Sequence, residues 1–275
     1  MLAKKLRKNN IEILSYISVI FLIAFSAIFA EEISGYSPFK IDFTGASPPG
    51  DRHVLGTDFL GRDILSRTLI GGRISIIIGI ISRMGSTLMG LIIGLVVGLS
   101  TRLIRSLLNG ILDVFLAVPS LLLAMGLAVA LGEGYRTIII AIVIGTWAPV
   151  ARFVSVKVIE INSEDFIISA KASGAGGLRI IFYHIIPSLI PVLIPVFTTG
   201  IATSIMMEST LSFLGLGGAS SIDTISSWGL MIQEGAKFIF DAPWIIMPPS
   251  AILMILILCI NQIGDKLASN IKGNN

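Results

Sequence analysis

The stretch ISIIIGIISRMGSTLMGLIIGLVVGL, Ile74–Leu99, decides the fold. Its only charge is Arg83, and as a helix rising about 1.5 Å per residue it is long enough to cross a hydrocarbon core of about 30 Å. Inside lipid every backbone N–H and C=O needs a partner within the protein, which leaves helices or a closed barrel. This run is too long and too unbroken for a barrel strand. Five more runs read the same way: Ile11–Ala30, Leu107–Leu131, Thr137–Val158, Leu189–Phe213 and Trp244–Ile263. The expectation is an all-α polytopic membrane protein with six transmembrane helices, in contact with lipid over much of its surface.

Composition points the same way. Of 275 residues 54% are hydrophobic and 13% charged, with a mean hydropathy of +0.91, too little polar surface for a water-soluble domain of this size. The lone Cys259 excludes an intrachain disulfide and a cysteine-rich metal cluster. A pI near 9.1 raises nucleic acid as a partner, but the Lys and Arg residues are scattered between apolar runs and form no groove-sized patch, so none is expected. Lys4, Lys5, Arg7 and Lys8 before an apolar run have the outline of a signal peptide. The run is long enough to span, however, and further spans follow, so it reads as a retained anchor.

The basic residues set the topology. With the N-terminal cluster inside, six spans put Arg102, Arg105, Lys157, Lys171, Arg179, Lys266 and Lys272 on the cytoplasmic side of the cell membrane, together with both termini. The organisation expected is an N-terminal tail, first span and extracytoplasmic segment over 1–72, a five-helix core over 73–267 with a cytoplasmic loop over 160–187, and a tail over 268–275. In the Pro- and Gly-rich connection Glu31–Gly72, Asp58–Leu69 has the pattern of a short amphipathic helix lying along the outer interface.

Several features carry candidate roles. Ser82, Ser86, Gly90, Gly94 and Gly98 recur every four residues and form a small-residue stripe, suited to close approach by another helix of this chain or of a partner. Arg83 lies deep in its span, where a charge needs a hydrated path, an interface or an acid such as Asp113 or Glu208. These three residues are the candidates for lining a translocation path. Pro119, Pro149, Pro191, Pro195 and Pro248-Pro249 predict kinks or interruptions. The loop Glu160–Pro187 reads as a helix over Glu164–Ser173, a joint at Gly174-Ala175-Gly176-Gly177, a second helix over Leu178–Ile185 and a break at Pro187. Its natural use is to dock into something cytoplasmic.

Catalytic chemistry has no visible home. No Gly-rich loop ends in Gly-Lys-Ser or Gly-Lys-Thr for ATP. His53 and His184 fall on opposite sides of the membrane, which excludes a shared metal site, and no Ser-His-Asp set can be assembled.

In the inner loop, Ile168-Ser169-Ala170, Gly174 and Ile186-Pro187 resemble the signature of ABC-importer permeases, in which a Glu usually stands where Ile168 is. The stretches His53–Asp58, Gly61-Arg62-Asp63, Ser66-Arg67, Asp113–Pro119, Trp147, Pro149, Ala151-Arg152, Glu208, Leu211–Gly217, Ser227-Trp228-Gly229, Ala242-Pro243-Trp244, Asn261, Gly264-Asp265 and Leu267 resemble the C-type permease of dipeptide and oligopeptide importers. The resemblance runs in order from about Pro49 to Leu267, and Arg83 stands outside it.

It implies the type I ABC-importer permease fold and a heteromeric complex: this chain, a B-type permease, two cytoplasmic ABC ATPases that use ATP and Mg, and an extracytoplasmic solute-binding protein delivering peptide. This chain would bind no cofactor or metal and would not be an enzyme. Glu164, Asp165, Ala170, Lys171, Gly174, Arg179, His184 and Pro187 would couple to an ATPase. Asp58, Gly61, Arg62, Asp63 and Trp228, in the outer segments His53–Arg67 and Ser212–Trp228, would serve docking or gating. The same architecture carrying nickel, opines, antimicrobial peptides or oligosaccharides remains open as a substrate alternative. An ion-gradient-driven transporter is the alternative in mechanism.

Overall fold

The computed structural model describes residues 2–41, 45–217 and 226–273. It is a bundle of eleven helices among the described residues: α1 Leu2–Ile28, α2 Ala30–Ser34, α3 Ile64–Leu99, α4 Arg102–Ala117, α5 Ser120–Leu131, α6 Tyr135–Asn162, α7 Asp165–Ala172, α8 Gly177–Ile180, α9 Ile186–Phe213, α10 Trp228–Ala236 and α11 Pro243–Gly273. A π-helical turn, Ile181–Ile185, joins α8 to α9. Five helical stretches are long and apolar enough to span a membrane singly.

The sixth candidate is the pair α4 and α5, which meet at 82°, the geometry of a broken span or a re-entrant loop. The expected continuous span Leu107–Leu131 is therefore broken. Proline disfavours α-geometry in the residue before it, and Val118 is extended, at φ −91° and ψ 127°. Pro149, Pro191, Pro195, Pro248 and Pro249, in contrast, all lie within continuous helices, so the interruption expected at Pro248-Pro249 does not occur. Pro187 does not break the chain either. It enters α9 behind the π turn, where Ile186 N–H reaches back five residues to Ile181 O, and the wider turn relieves the crowding a proline ring imposes on the carbonyl four residues earlier.

The bundle is organised on α3 and α6. A Cβ at Gly90, Gly94 or Gly98 would come within 2.6 Å of the Cβ of Val150, Val154 or Val158 respectively. Each α6 valine therefore seats in a glycine notch on α3. Backbones this close supply the dispersion contact that drives association where lipid removes the hydrophobic effect. Ser82 and Ser86 extend the stripe and are fully buried, so its face is occupied by this chain's own helices.

Two arginines close helix ends. Arg73 on α3 donates from Nε to Ala27 O at 2.5 Å and from Nη2 to Ile28 O at 2.6 Å. Arg105 on α4 donates from Nη2 to Gly98 O and Ser100 O, both at 2.9 Å. Each satisfies C-terminal carbonyls that a helix leaves open and sets a positive charge at the negative end of its dipole. At the other end of α1, Glu12 pairs with Lys266 of α11.

The short outer helix expected over Asp58–Leu69 is also revised. Asp58 Oδ1 accepts from the backbone N–H of Leu60 and of Arg62, each at 2.9 Å, and Gly61 sits at φ +76°. A carboxylate that captures local N–H groups competes with helix, and a left-handed residue excludes it. Helix begins only at Ile64, with Asp63 as its N-cap accepting from Ser66 N at 2.7 Å, and then runs without a break into the span.

Candidate functional site

Three regions bear on function, one at each end of the bundle and one at its middle. At the end bearing α7, Ala175 N–H bonds Ala170 O and Gly174 N–H bonds Lys171 O, both at 3.0 Å, with Gly174 at φ +81°. This is a Schellman cap, and it explains the glycine in the loop signature: Gly174 ends α7 in a conformation that other residues rarely adopt. Ile167 is fully buried and joins Ile180, Ile185 and Leu189 against Val154 and Val158. One face of α7 is thus bolted to α6 and α9, while the other presents Phe166 and Ile168, exposed at 46% and 54%.

Glu164 occupies the N-cap position and Asp165 the first turn, both exposed, where carboxylates suit the helix dipole. Lys171 in the last turn donates to Asn162 Oδ1 at 2.8 Å. His184 in the π turn lies tilted against Phe166 with ring centroids 6.2 Å apart, so the two halves of the loop form one surface. Ala170 is half-buried, and Arg179 and Pro187 are exposed on that surface, where Leu178, Phe182 and Tyr183 are exposed at 73%, 62% and 75%.

At mid-bundle an open cleft of about 270 Å³ is lined by Arg83, Ser120, Thr146, Thr199, Gly200 and Thr203, among others. Of the three path candidates only Arg83 reaches it, and Arg83 pairs with neither acid. Asp113 pairs with Arg152 and lies largely exposed. Glu208 is fully buried, accepting from Ser212 Oγ at 2.8 Å and Ser209 Oγ at 3.3 Å, so it lines no water path in this conformation. The Ser75 and Ser227 hydroxyls also face its carboxylate, Ser227 without completing a well-aligned hydrogen bond. The threonines and Gly200 of the cleft carry no motif. Their one sequence signal is the i, i+4 spacing of Thr199 and Thr203, which sets both on one face of α9.

At the end bearing α10, the proposed docking residues turn inward. Trp228 is 1% exposed and donates from Nε1 to Thr68 O at 2.7 Å. Its ring lies against Gly72, where a Cβ would come within 2.8 Å of Cζ2. Asp58 and Asp63 are 4% and 3% exposed, and Gly61 is buried. Asp58 Oδ2 accepts from Arg62 Nε at 2.7 Å and from Arg67 Nη1 at 2.5 Å, and Arg67 Nη2 continues to Glu234 Oε2 at 2.8 Å and Ser226 Oγ at 2.9 Å. These buried groups form a clasp between the outer segment, α3 and α10, so Asp58, Gly61, Asp63 and Trp228 offer no surface to a docking partner. Arg62, with 11% of its side chain exposed, belongs to the same clasp. Positions 218–225 of the segment Ser212–Trp228 lie outside the described residues.

Residues 90–273, from the glycine stripe through the exposed loop to the last helix, match the family described as the binding-protein-dependent transport system inner membrane component. The chain belongs to this family. Among its relatives, the oligopeptide transport system permease protein OppC of Bacillus subtilis (strain 168) is 34% identical over 264 residues, spanning 96% of this chain and 85% of that one. The dipeptide transport system permease protein DppC of Alkalihalophilus pseudofirmus is 36% identical over 265 residues, spanning 96% and 86%. Among solved structures, the inward-facing MetNI methionine ABC transporter superposes with a TM-score of 0.61 at 18% identity, over 74% of this chain and 95% of the matched chain. That likeness establishes the permease fold. The family match begins inside α3, so the clasp residues Asp58, Arg62 and Arg67 lie N-terminal to it and Ser226 and Glu234 within it, whereas the relatives' alignments cover almost the whole chain.

Proposed function

We propose that this permease is one transmembrane half of an ATP-driven peptide importer, pairing with a second permease, two cytoplasmic ATPases and an extracytoplasmic binding protein. The observation that carries the coupling role is the α7 loop: a capped helix fixed to the spans through Ile167, Ile180 and Ile185, with Phe166 and Ile168 facing out. An exposed apolar pair on a rigidly anchored helix beyond the spans fits a partner cleft. Identity of 34% and 36% to oligopeptide and dipeptide permeases, each along 96% of the chain, supports peptide as the cargo. The basic residues Arg102 and Arg105 near the α7 end, with Lys4, Lys5, Arg7 and Lys8, support a cytoplasmic placement of that end and of both termini.

The test is to replace Phe166 and Ile168 together by Asp in the full reconstituted complex. Neither side chain is part of the buried core, so insertion and pairing with the second permease should persist. Peptide-stimulated ATP hydrolysis and uptake should fall by roughly a hundredfold, the effect of losing two central apolar anchors. Unchanged stimulation would sink the coupling role.

A further inference from the structure

Arg83 is 6% exposed near the midpoint of α3. Its Nη2 donates to Val196 O at 2.6 Å. Among the described residues the guanidinium makes that one hydrogen bond, and Nε is buried without an acceptor. A group with five N–H donors and a fixed positive charge is expensive to leave so poorly partnered in a membrane span. The site is nevertheless built around it. Gly200 stands opposite, and a Cβ there would collide with the guanidinium, so α9 keeps a glycine where Arg83 enters the cleft.

The cleft supplies complementary chemistry. Thr146 spends its hydroxyl proton on Ile142 O at 2.6 Å, Thr199 on Pro195 O at 3.0 Å and Thr203 on Thr199 O at 3.3 Å. The threonine oxygens therefore have lone pairs left to accept from a ligand N–H, while Arg83 has donors left to give. No described residue lining the cleft is acidic. At about 270 Å³ the space falls just below that of a complete small-molecule pocket, as expected of one wall of a site finished by a second subunit.

We propose that Arg83 receives the α-carboxylate of the peptide in transit, with Thr199 and Thr203 accepting from its backbone N–H groups. The assignment rests on the peptide-import reading above and adds the recognised group. A planar guanidinium matches a carboxylate with two parallel N–H donors, and the α-carboxylate is the anion that peptides of every sequence share.

The test uses the full complex in vesicles, carrying Ser120→Cys and Cys259→Ala. Modification rates are measured with anionic sulfonatoethyl and cationic trimethylammonioethyl methanethiosulfonate. Arg83→Gln keeps an N–H for Val196 O but removes the charge, and should lower the anion-to-cation rate ratio by about tenfold or more; Arg83→Lys should preserve the ratio. A peptide with a free carboxyl terminus should slow labelling, its C-terminal amide should not, and Arg83→Gln should abolish the difference. An unchanged ratio in Arg83→Gln would show that the arginine is only a tether to α9 and overturn the proposal. So would equal protection by acid and amide while the complex takes up peptide, and that result would leave the import reading standing. No uptake of any peptide by the complex with Arg83 intact would remove the import reading itself, and the carboxylate assignment with it.

Discussion

Leucine in place of Gly94 is expected to separate α3 from α6 and severely destabilise the folded chain. The added Cβ alone would lie 2.6 Å from Val154 Cβ and 2.7 Å from Ala151 O. One of these contacts is backbone and the other the root of a β-branched side chain, so no rotamer change relieves them. Overpacking in a yielding core costs about 1–3 kcal/mol. Here the helices must move apart, which also forfeits the neighbouring notches at Gly90 and Gly98, so the cost should reach or exceed the top of that range. Gly110→Leu is the internal control, because a Cβ at Gly110 meets nothing within 4 Å. Thermal unfolding of the purified subunit in detergent should show a large loss for Gly94→Leu and little change for Gly110→Leu. Similar unfolding profiles for the two would refute the notch account of the α3–α6 contact.

Asp58→Ala should be nearly as damaging, by an electrostatic route. Arg67 is 3% exposed and would lose its Asp58 partner, while Arg62 would lose its closer ion pair and the carboxylate that shapes its turn, both arginines keeping only the half-exposed Glu234 as carboxylate partner. Removing one member of a buried pair typically costs about 3–5 kcal/mol, because the remaining charge stays desolvated. Glu234 has 35% of its side chain exposed, so water can replace it, and Glu234→Ala should cost clearly less. Limited proteolysis between residues 45 and 63 gives the ordering: cleavage should be fast in Asp58→Ala and near the parental rate in Glu234→Ala. The reverse order would show that the clasp is held from its exposed end.

What the sequence made legible follows from how far each signal reaches along the chain. Membrane helices show in the local cost of bare backbone in lipid, so the spans were visible from their apolar runs. So was the joint at Gly174–Gly177, because helix, glycines and continuation lie within a dozen residues, whereas the cap that Gly174 forms on α7 shows only in the backbone. Proline was the ambiguous letter. Pro119 turns the chain through 82°, whereas Pro191, Pro195, Pro248 and Pro249 leave helices intact, since one missing hydrogen bond costs less in lipid than unwinding a turn and baring several more groups. The clasp was illegible for another reason. Arg67 and Glu234 lie 167 positions apart, and nothing local marks them as partners. Trp228 had the motif of an outer segment, yet the informative residues were its seat, the adjacent pair Gly71-Gly72 on α3, where added side chains would strike Ser226 and Trp228. Arg83 was conspicuous as a charge in a span, but its surroundings depend on the packing of α9, which no linear pattern encodes.

From Gly177 to Phe213 the chain is one helical stretch of 37 residues, a shaft of about 55 Å at ordinary rise. Its foot carries the exposed surface around Phe182 and its head holds Glu208 in a nest of serines. The helix is continuous through Pro191 and Pro195, so a tilt carried along it from the foot would reappear at the head with opposite sense about a fulcrum near Gly200, where it meets Arg83 of α3. About that point a swing of 10° would carry Phe182 through roughly 5 Å and Glu208 through roughly 2 Å at ordinary rise, enough to disturb the serine hydrogen bonds to its carboxylate.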